Sequence, residues 1–145
     1  MRKRWGYTLL ELMVVTALLA IAVGLGWPGA RAAADAWAVR AARDAAASAL
    51  AATRAAAIAH RGAELLIVPA EGAVLTRDVG PARPRLLLGR EWGVTVATPG
   101  FTGDTLAIRY DALGLGRVAS RTLRFERGNA VAGLTIAAYG RVRRW

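Results

Sequence analysis

The chain has 145 residues, of which 55% are hydrophobic, and it carries a formal net charge of +10 at pH 7. This length suits one compact domain with an accessory segment and is too short for two enzyme domains of ordinary size. The absence of cysteine from the sequence excludes a disulfide framework, a cysteine-ligated metal site and a thiol nucleophile.

The N-terminal segment joins a basic start to a long apolar run. Three cations, Arg2, Lys3 and Arg4, precede a stretch from residue 7 to residue 30 in which Glu11 is the one charged side chain. A helix of about 20 residues crosses a hydrocarbon core, so this stretch is long enough to do so. The positive-inside tendency predicts a cytoplasmic basic flank and places the residues after Ala30 outside the membrane.

Three kinds of N-terminal signal fit this pattern. The first is a secretory signal cleaved among the small residues between Ala30 and Ala34, the second is an uncleaved signal anchor, and the third is a prepilin signal. Glu11 separates them, because a carboxylate inside an apolar run costs about 2 to 3 kcal/mol or more to insert and requires a partner. In the hydrophobic region of an ordinary secretory signal, such a carboxylate would have no function.

The segment Gly6-Tyr7-Thr8-Leu9-Leu10-Glu11 resembles the prepilin motif. The resemblance implies that a prepilin peptidase cleaves between Gly6 and Tyr7 and methylates the new amine of Tyr7. It further implies that Glu11 pairs with the N-terminal amine of a neighbouring subunit during assembly. Pro28 falls where pilins commonly carry a helix-kinking proline. The alternative for Glu11 is a lone acid that reaches the lipid headgroups.

An alanine-rich segment from Arg31 to Arg61 follows, and its composition predicts a helix that continues to about Ala59 and stops at Gly62. Two ion pairs at i to i+4 spacing are predicted on it, Arg31 with Asp35 and Arg40 with Asp44. A stripe of Arg43, Arg54 and Arg61 is interpreted as solvated. His60 is interpreted as a cap or a solvated side chain rather than a catalytic base.

Short β-branched runs separated by turn residues replace the alanine pattern after Gly62. The predicted fold class is α+β, with a long N-terminal hydrophobic helix packed on a C-terminal antiparallel β-sheet head. The predicted organisation is a leader at 1–6, a transmembrane or filament-core helix at 7–30, a stalk at 31–61 and a head at 62–145. The predicted strands are 64–68, 73–77, 85–88, 94–98, 105–110, 122–126, 134–138 and 141–144.

The last forty residues resemble the H-type minor pseudopilins of type II secretion and their FimT relatives of type IV pilus systems. The resemblance is carried by the segments 106–114, 122–125 and 134–143, and Gly140-Arg141-Val142-Arg143 is its most recognisable part. In a strand Arg141 and Arg143 would share a face, about 7 Å apart, with Val142 pointing inward.

Two guanidinium groups at that spacing match successive phosphates of a nucleic-acid strand. In FimT-like proteins the motif is associated with DNA capture, which the resemblance assigns here to Arg141 and Arg143, with Arg144 as a helper. The alternative is a basic terminal strand that protects the sheet edge from aggregation.

The sequence offers no catalytic constellation, because it combines one histidine, two serines and no cysteine. We therefore predict a subunit that is not an enzyme and has no catalytic residue, metal site, cofactor or small-molecule substrate. The leading hypothesis is a minor pilin-like subunit of a type II secretion or type IV pilus machine, single-pass in the inner membrane with its head in the periplasm. Its predicted partners are other pilins, the prepilin peptidase and the inner membrane. The alternatives are a double-stranded DNA receptor and a secreted domain cleaved near Ala34.

Overall fold

The computed structural model describes residues 8–77, 83–117 and 120–145. Its first element is α1, Leu9–His60, a single helix of 52 residues. The chain divides into two compact units, residues 1–34 and residues 35–145, and the second unit contains the C-terminal part of α1 and the whole head. The predicted α+β class is confirmed, because a long N-terminal apolar helix and antiparallel sheets make up the described structure.

The end of α1 is closed by a left-handed turn. Arg61 has a φ of 61° and Gly62 a φ of 145°, and the Gly62 N–H donates to the Ala57 carbonyl at 2.9 Å. This bond satisfies a carbonyl of the last turn that the helix itself leaves without a donor. The helix thus ends within a residue of its predicted end, but Arg61, rather than Gly62, is the first residue in the left-handed region.

The described part of the head contains two four-stranded antiparallel sheets. The first has the order β3-β2-β1-β5 and the second the order β4-β6-β7-β8. Two short helices interrupt the strands: a 3-10 helix at Pro69–Glu71 and α2 at Leu88–Trp92. The strands are β1 (Ala63–Val68), β2 (Ala73–Arg77), β3 (Arg83–Leu87), β4 (Thr95–Ala97), β5 (Leu106–Tyr110), β6 (Arg121–Arg127), β7 (Ala130–Ile136) and β8 (Val142–Arg144).

The predicted strand 73–77 has the observed limits, whereas the other predicted strands differ from the observed ones by one to four residues at an end. Local backbone structure explains two of these differences. Leu88 was assigned to a strand, yet it begins α2, which Gly93 closes with a φ of 61°. The seventh strand starts at Ala130 instead of residue 134, because a two-residue turn at Gly128 and Asn129 lets Arg127 pair directly with Ala130. In such a tight hairpin, the antiparallel pairing resumes at the first residue after the turn.

One face of α1 packs against both sheets in a single hydrophobic core. Its buried residues are mostly alanines, such as Ala42 and Ala46, together with Leu50. The sheets supply larger side chains at alternate positions of their strands: Leu65, Ile67, Ile108, Leu123, Phe125, Leu134 and Ile136. The buried Thr53 hydroxyl donates to the Ala49 carbonyl at 2.8 Å, which satisfies this polar group inside the helix.

The two carboxylates of the stalk pair with residues other than those predicted. Asp35 accepts a bond from Arg127 Nε at 2.9 Å, and Asp44 accepts one from Arg43 at 3.0 Å. Arg127 also donates to the Trp92 carbonyl at 2.6 Å. For Asp35, the Arg127 guanidinium is positioned by a packed strand and is already ordered, so it competes well with a flexible partner on the same helix.

Replacing a buried alanine of α1 should destabilise the head. Ala46 is 1% exposed, so the Ala46→Leu side chain has to displace sheet residues, and we expect a loss of about 1 to 3 kcal/mol in the free energy of unfolding. The matched control is Ala55→Leu, at an exposed position of the same helix. Urea denaturation of the full chain in detergent measures both, and equal effects of the two variants would contradict this packing.

Candidate functional site

The start of α1 is capped by the residue that precedes it. The Thr8 hydroxyl oxygen accepts a bond from the Glu11 N–H at 3.2 Å, and the Thr8 carbonyl accepts one from the Leu12 N–H at 3.2 Å. Thr8 is therefore the N-cap, and Glu11 is the third residue of the helix. The sequence analysis missed Thr8, although a search for Thr followed three residues later by Glu would have found it.

Glu11 lies in the first turn of α1, where the helix dipole favours a negative charge. The residues that follow it are apolar and exposed; the exposed fraction is 61% for Leu12 and 58% for Leu19. The Thr16 hydroxyl lies 3.0 Å from the Leu12 carbonyl and 2.9 Å from that of Met13, so its hydrogen-bonding capacity is satisfied locally. Glu11 is thus the one ionisable group on this described apolar surface.

Within the described chain, α1 is the helix whose length and composition would allow it to cross a membrane. Pro28 lies inside this helix, which continues on both sides of it. One turn further, the Arg31 guanidinium lies 5.5 Å from the centroid of the Trp27 ring, a cation–π contact. The predicted cleavage residues Gly6 and Tyr7 lie outside the described residues.

The second candidate region is the C-terminal strand β8, which lies at the edge of the second sheet. Thr135 pairs with Arg143 and Ile136 with Val142. Val142 packs against the core, whereas Arg141 and Arg143 are exposed, as the alternation of a strand requires. Neither arginine takes part in the ion pairs that join described residues, in contrast to Arg144, which lies 3.7 Å from Asp44.

The C-terminal residue holds β8 in place. Trp145 exchanges backbone hydrogen bonds of 2.9 Å and 3.0 Å with Gly133, and its indole N–H donates to the Thr135 hydroxyl at 3.2 Å. The indole ring lies directly over Gly133, in space that a Cβ atom would occupy. A glycine is therefore required at this position for the ring to reach the sheet.

A groove of about 590 Å³ lies beside β8 and is also lined by α1 and by Tyr110 at the end of β5. Burial raises the pKa of the Tyr110 hydroxyl, and the positive charge of Arg54 partly opposes this effect. Gly140, with a φ of 80°, packs against the Tyr110 ring. Arg54 is predicted as a solvated residue of a helix stripe and Tyr110 as the end of a strand, and nothing local in the sequence indicates that both meet β8.

The described residues contain no group of histidine, cysteine and carboxylate side chains that could hold a metal ion. They do contain two regions of distinct chemistry. One is an apolar helical surface with a carboxylate at its start, suited to burial in lipid or among other apolar helices. The other is an arginine-rich sheet edge, suited to an anionic partner.

Comparison with known proteins supports a functional role for the first of these regions, the N-terminal apolar helix with its carboxylate. Residues 1–27 match the family model described as the prokaryotic N-terminal methylation motif. The match covers the basic start, Gly6, Tyr7 and Glu11, and it supports a type IV pilin-like protein. A search of curated proteins found no match. A search of solved structures found none either.

The ion pair between Arg43 and Asp44 should make stability depend on pH. The hydrogen bond from Arg43 has the largest effect and lowers the pKa of Asp44; burial opposes it, and the nearby charges of Arg43 and Arg144 add smaller lowering effects. Because the folded pKa lies below the unfolded one, the stabilisation is present above the unfolded pKa, about 4, and is lost as pH falls through the folded value.

We expect Asp44→Asn to lower stability near neutral pH by a few tenths of a kcal/mol, the range of exposed ion pairs, and to cost less than this near pH 3. Melting curves of both proteins between pH 3 and pH 7 measure the difference. Asp104→Asn, at an exposed position, is the matched control. A difference that stays constant over the whole pH range would show that the pair contributes nothing.

Proposed function

We propose that the chain is a minor pilin-like subunit that assembles into a short filament of a type II secretion or type IV pilus machine. The observation that carries this proposal is the methylation motif at residues 1–27, which leads directly into an exposed apolar helix. A prepilin peptidase would cleave between Gly6 and Tyr7 on the cytoplasmic side and methylate the amine of Tyr7. The processed chain would remain in the inner membrane, with the head in the periplasm.

Glu11 is the residue we propose to direct assembly. In the processed chain it would be the fifth residue, within the first turn of an apolar helix, and its carboxylate would pair with the methylated amine of a neighbouring subunit. In an apolar surrounding, such a pair satisfies two charges that are each costly alone. Pro28 would mark the end of the segment that lies in the filament core, and residues 31–61 would connect that segment to the head.

The capping geometry supports this role for the region. The Thr8 hydroxyl accepts a hydrogen bond from the Glu11 backbone N–H at 3.2 Å, and the helix begins at Leu9, close in sequence to the proposed cleavage site. The carboxylate therefore starts from an ordered first turn, and less conformational entropy is lost when it pairs. No enzymatic activity is part of the proposal, since a pilin-like chain is itself the substrate of the processing enzyme.

Glu11→Gln should be cleaved and methylated at Tyr7 yet enter filaments at least about tenfold less efficiently, because the amine of its neighbour loses a charged partner. The measurement combines the N-terminal mass of the membrane protein with its recovery in a sheared filament fraction, in cells that carry a prepilin peptidase and other pilins. Thr16→Val is the matched control, because that hydroxyl bonds only carbonyls of its own helix in the described structure.

Normal assembly of Glu11→Gln would exclude the pairing role. A wild-type chain that begins at Met1 or near Ala34, instead of at methylated Tyr7, would exclude the pilin-like function as a whole and would indicate a signal anchor or a secreted protein.

A second function is favoured by the exposed arginines of β8. Arg143 in β8 and Arg141, which directly precedes this strand, are both exposed, and neither is engaged in an ion pair with a described residue. We infer that the two guanidiniums would contact phosphates of double-stranded DNA during uptake, with Arg144 nearby. The ion pair of Arg144 with Asp44 directs this third arginine toward α1, so its contribution would be smaller.

The double variant Arg141→Ala/Arg143→Ala should bind duplex DNA more weakly and reduce the slope of log affinity against log salt concentration by about 2, since each phosphate contact contributes about 0.9. Anisotropy titrations at several salt concentrations measure both effects. The matched control is Arg40→Ala/Arg90→Ala, which removes the same amount of positive charge from exposed positions outside the C-terminal segment. Equal losses of DNA affinity in the two double variants would show that the effect depends on net charge alone, and would contradict a role for the motif.

A further inference from the structure

The groove beside β8 has an apolar floor and a basic rim. The floor is formed by Ala47, Leu50 and Ala51 of α1, and Tyr110 closes one part of it. The rim carries four arginines that approach from two separate elements: Arg54 from α1 and Arg141, Arg143 and Arg144 from the C-terminal segment. This surface therefore combines a place for apolar side chains with a concentration of positive charge.

The free edge of β8 offers backbone hydrogen bonds on the same side of the head. Toward β7, Trp145 bonds Gly133 in both directions and the Arg141 carbonyl accepts from the Ala137 N–H at 2.8 Å. Because backbone groups alternate in an antiparallel strand, the N–H and C=O groups of Val142 and Arg144 face away from β7. In the described part of the chain, β8 is the last strand on this side of the sheet.

The charge of the groove is poorly compensated. Among the described residues that line it, none is a carboxylate. Asp44 lies 3.7 Å from Arg144, but the same carboxylate oxygen lies 3.0 Å from Arg43, so it is shared between two arginines. Arg54, Arg141 and Arg143 thus leave a positive potential that favours an acidic occupant.

We propose that this groove binds an extended, acidic peptide segment of another protein, which adds as a strand to the free edge of β8. Hydrogen bonds to the backbone of Val142 and Arg144 would hold the segment, as in other cases of strand addition. Small apolar side chains would rest on the alanines of α1, and carboxylates on the rim would pair with Arg54 and its neighbours. This binding goes beyond assembly through the N-terminal helix and does not depend on it.

A peptide explains more of the groove than a nucleic acid does. The phosphates of a nucleic acid could pair with the arginines. A duplex, however, has no backbone that forms strand hydrogen bonds with a free sheet edge, and it has no apolar side chains to pack on the alanine floor. Arg54 comes from α1, whereas Arg141 and Arg143 come from the C-terminal segment, so an extended chain could contact cations from both elements.

The test is a fluorescence anisotropy titration of the full-length protein in detergent micelles with a labelled peptide. The peptide alternates glutamate and valine and has about seven residues, the length of an ordinary strand. We expect Arg54→Glu to weaken binding at least about tenfold, as a charge reversal at a direct contact does. Arg40→Glu changes the charge equally at an exposed position of α1 outside the groove and should bind nearly as the wild type.

A second experiment uses only the wild-type protein, so it does not depend on the folding of a variant. Two versions of the peptide carry N-methyl groups on alternate residues, one on the glutamates and the other on the valines, so that each version blocks one edge of the strand. Strand addition requires that one version lose at least about tenfold in affinity while the other binds well.

Equal binding of both methylated peptides, equal losses for Arg54→Glu and Arg40→Glu, or no binding of the acidic peptide would each overturn the proposal. Displacement of the acidic peptide by duplex DNA, together with equal binding of the two methylated versions, would assign the groove to nucleic acid. Processing at Tyr7 is measured separately, so failure of this proposal is distinguishable from failure of the pilin-like function.

Discussion

The head depends on one contact, the packing of an alanine-rich helix face against two β-sheets. Alanine removes little apolar area from water, so the larger side chains of the sheets, such as Phe125, Leu134 and Ile136, supply most of the buried surface. The alanines contribute by their small size, which leaves room for those side chains against the helix. Because both sheets pack on α1, the helix is the element that relates β5 of one sheet to β8 of the other.

The same helix carries two chemically different surfaces along its length. Near its start it is apolar and exposed, with Glu11 in the first turn; from Val39 to Ala57 its inner face is buried by the sheets. Exposed leucine and valine side chains are costly in water, so the first surface requires lipid or other helices as its surroundings. The methylation motif that covers residues 1–27 is consistent with that requirement.

At the other end of the chain, the edge position of β8 determines what its arginines can do. Pairing with β7 turns Arg141 and Arg143 outward and directs Val142 to the core, while Asp44 and Arg43 of α1 contact Arg144 and Trp145. A strand in the middle of a sheet would have its backbone groups paired on both sides. The edge strand instead combines exposed charge, an unpaired backbone and a neighbouring groove, all of which are suited to a binding surface.

The sequence by itself determined the helix from its first turn to about His60, the α+β class and the position of most strands, because alanine content and two-residue alternation are local signals. It also predicted the exposure of Arg141 and Arg143 on either side of the half-buried Val142. Only the tertiary structure decided the partners of Asp35 and Asp44, the division of the strands into two sheets, and the meeting of Arg54 and Tyr110 with β8. These features join residues far apart in the chain, and no local pattern of charge or hydrophobicity specifies which distant segments come into contact.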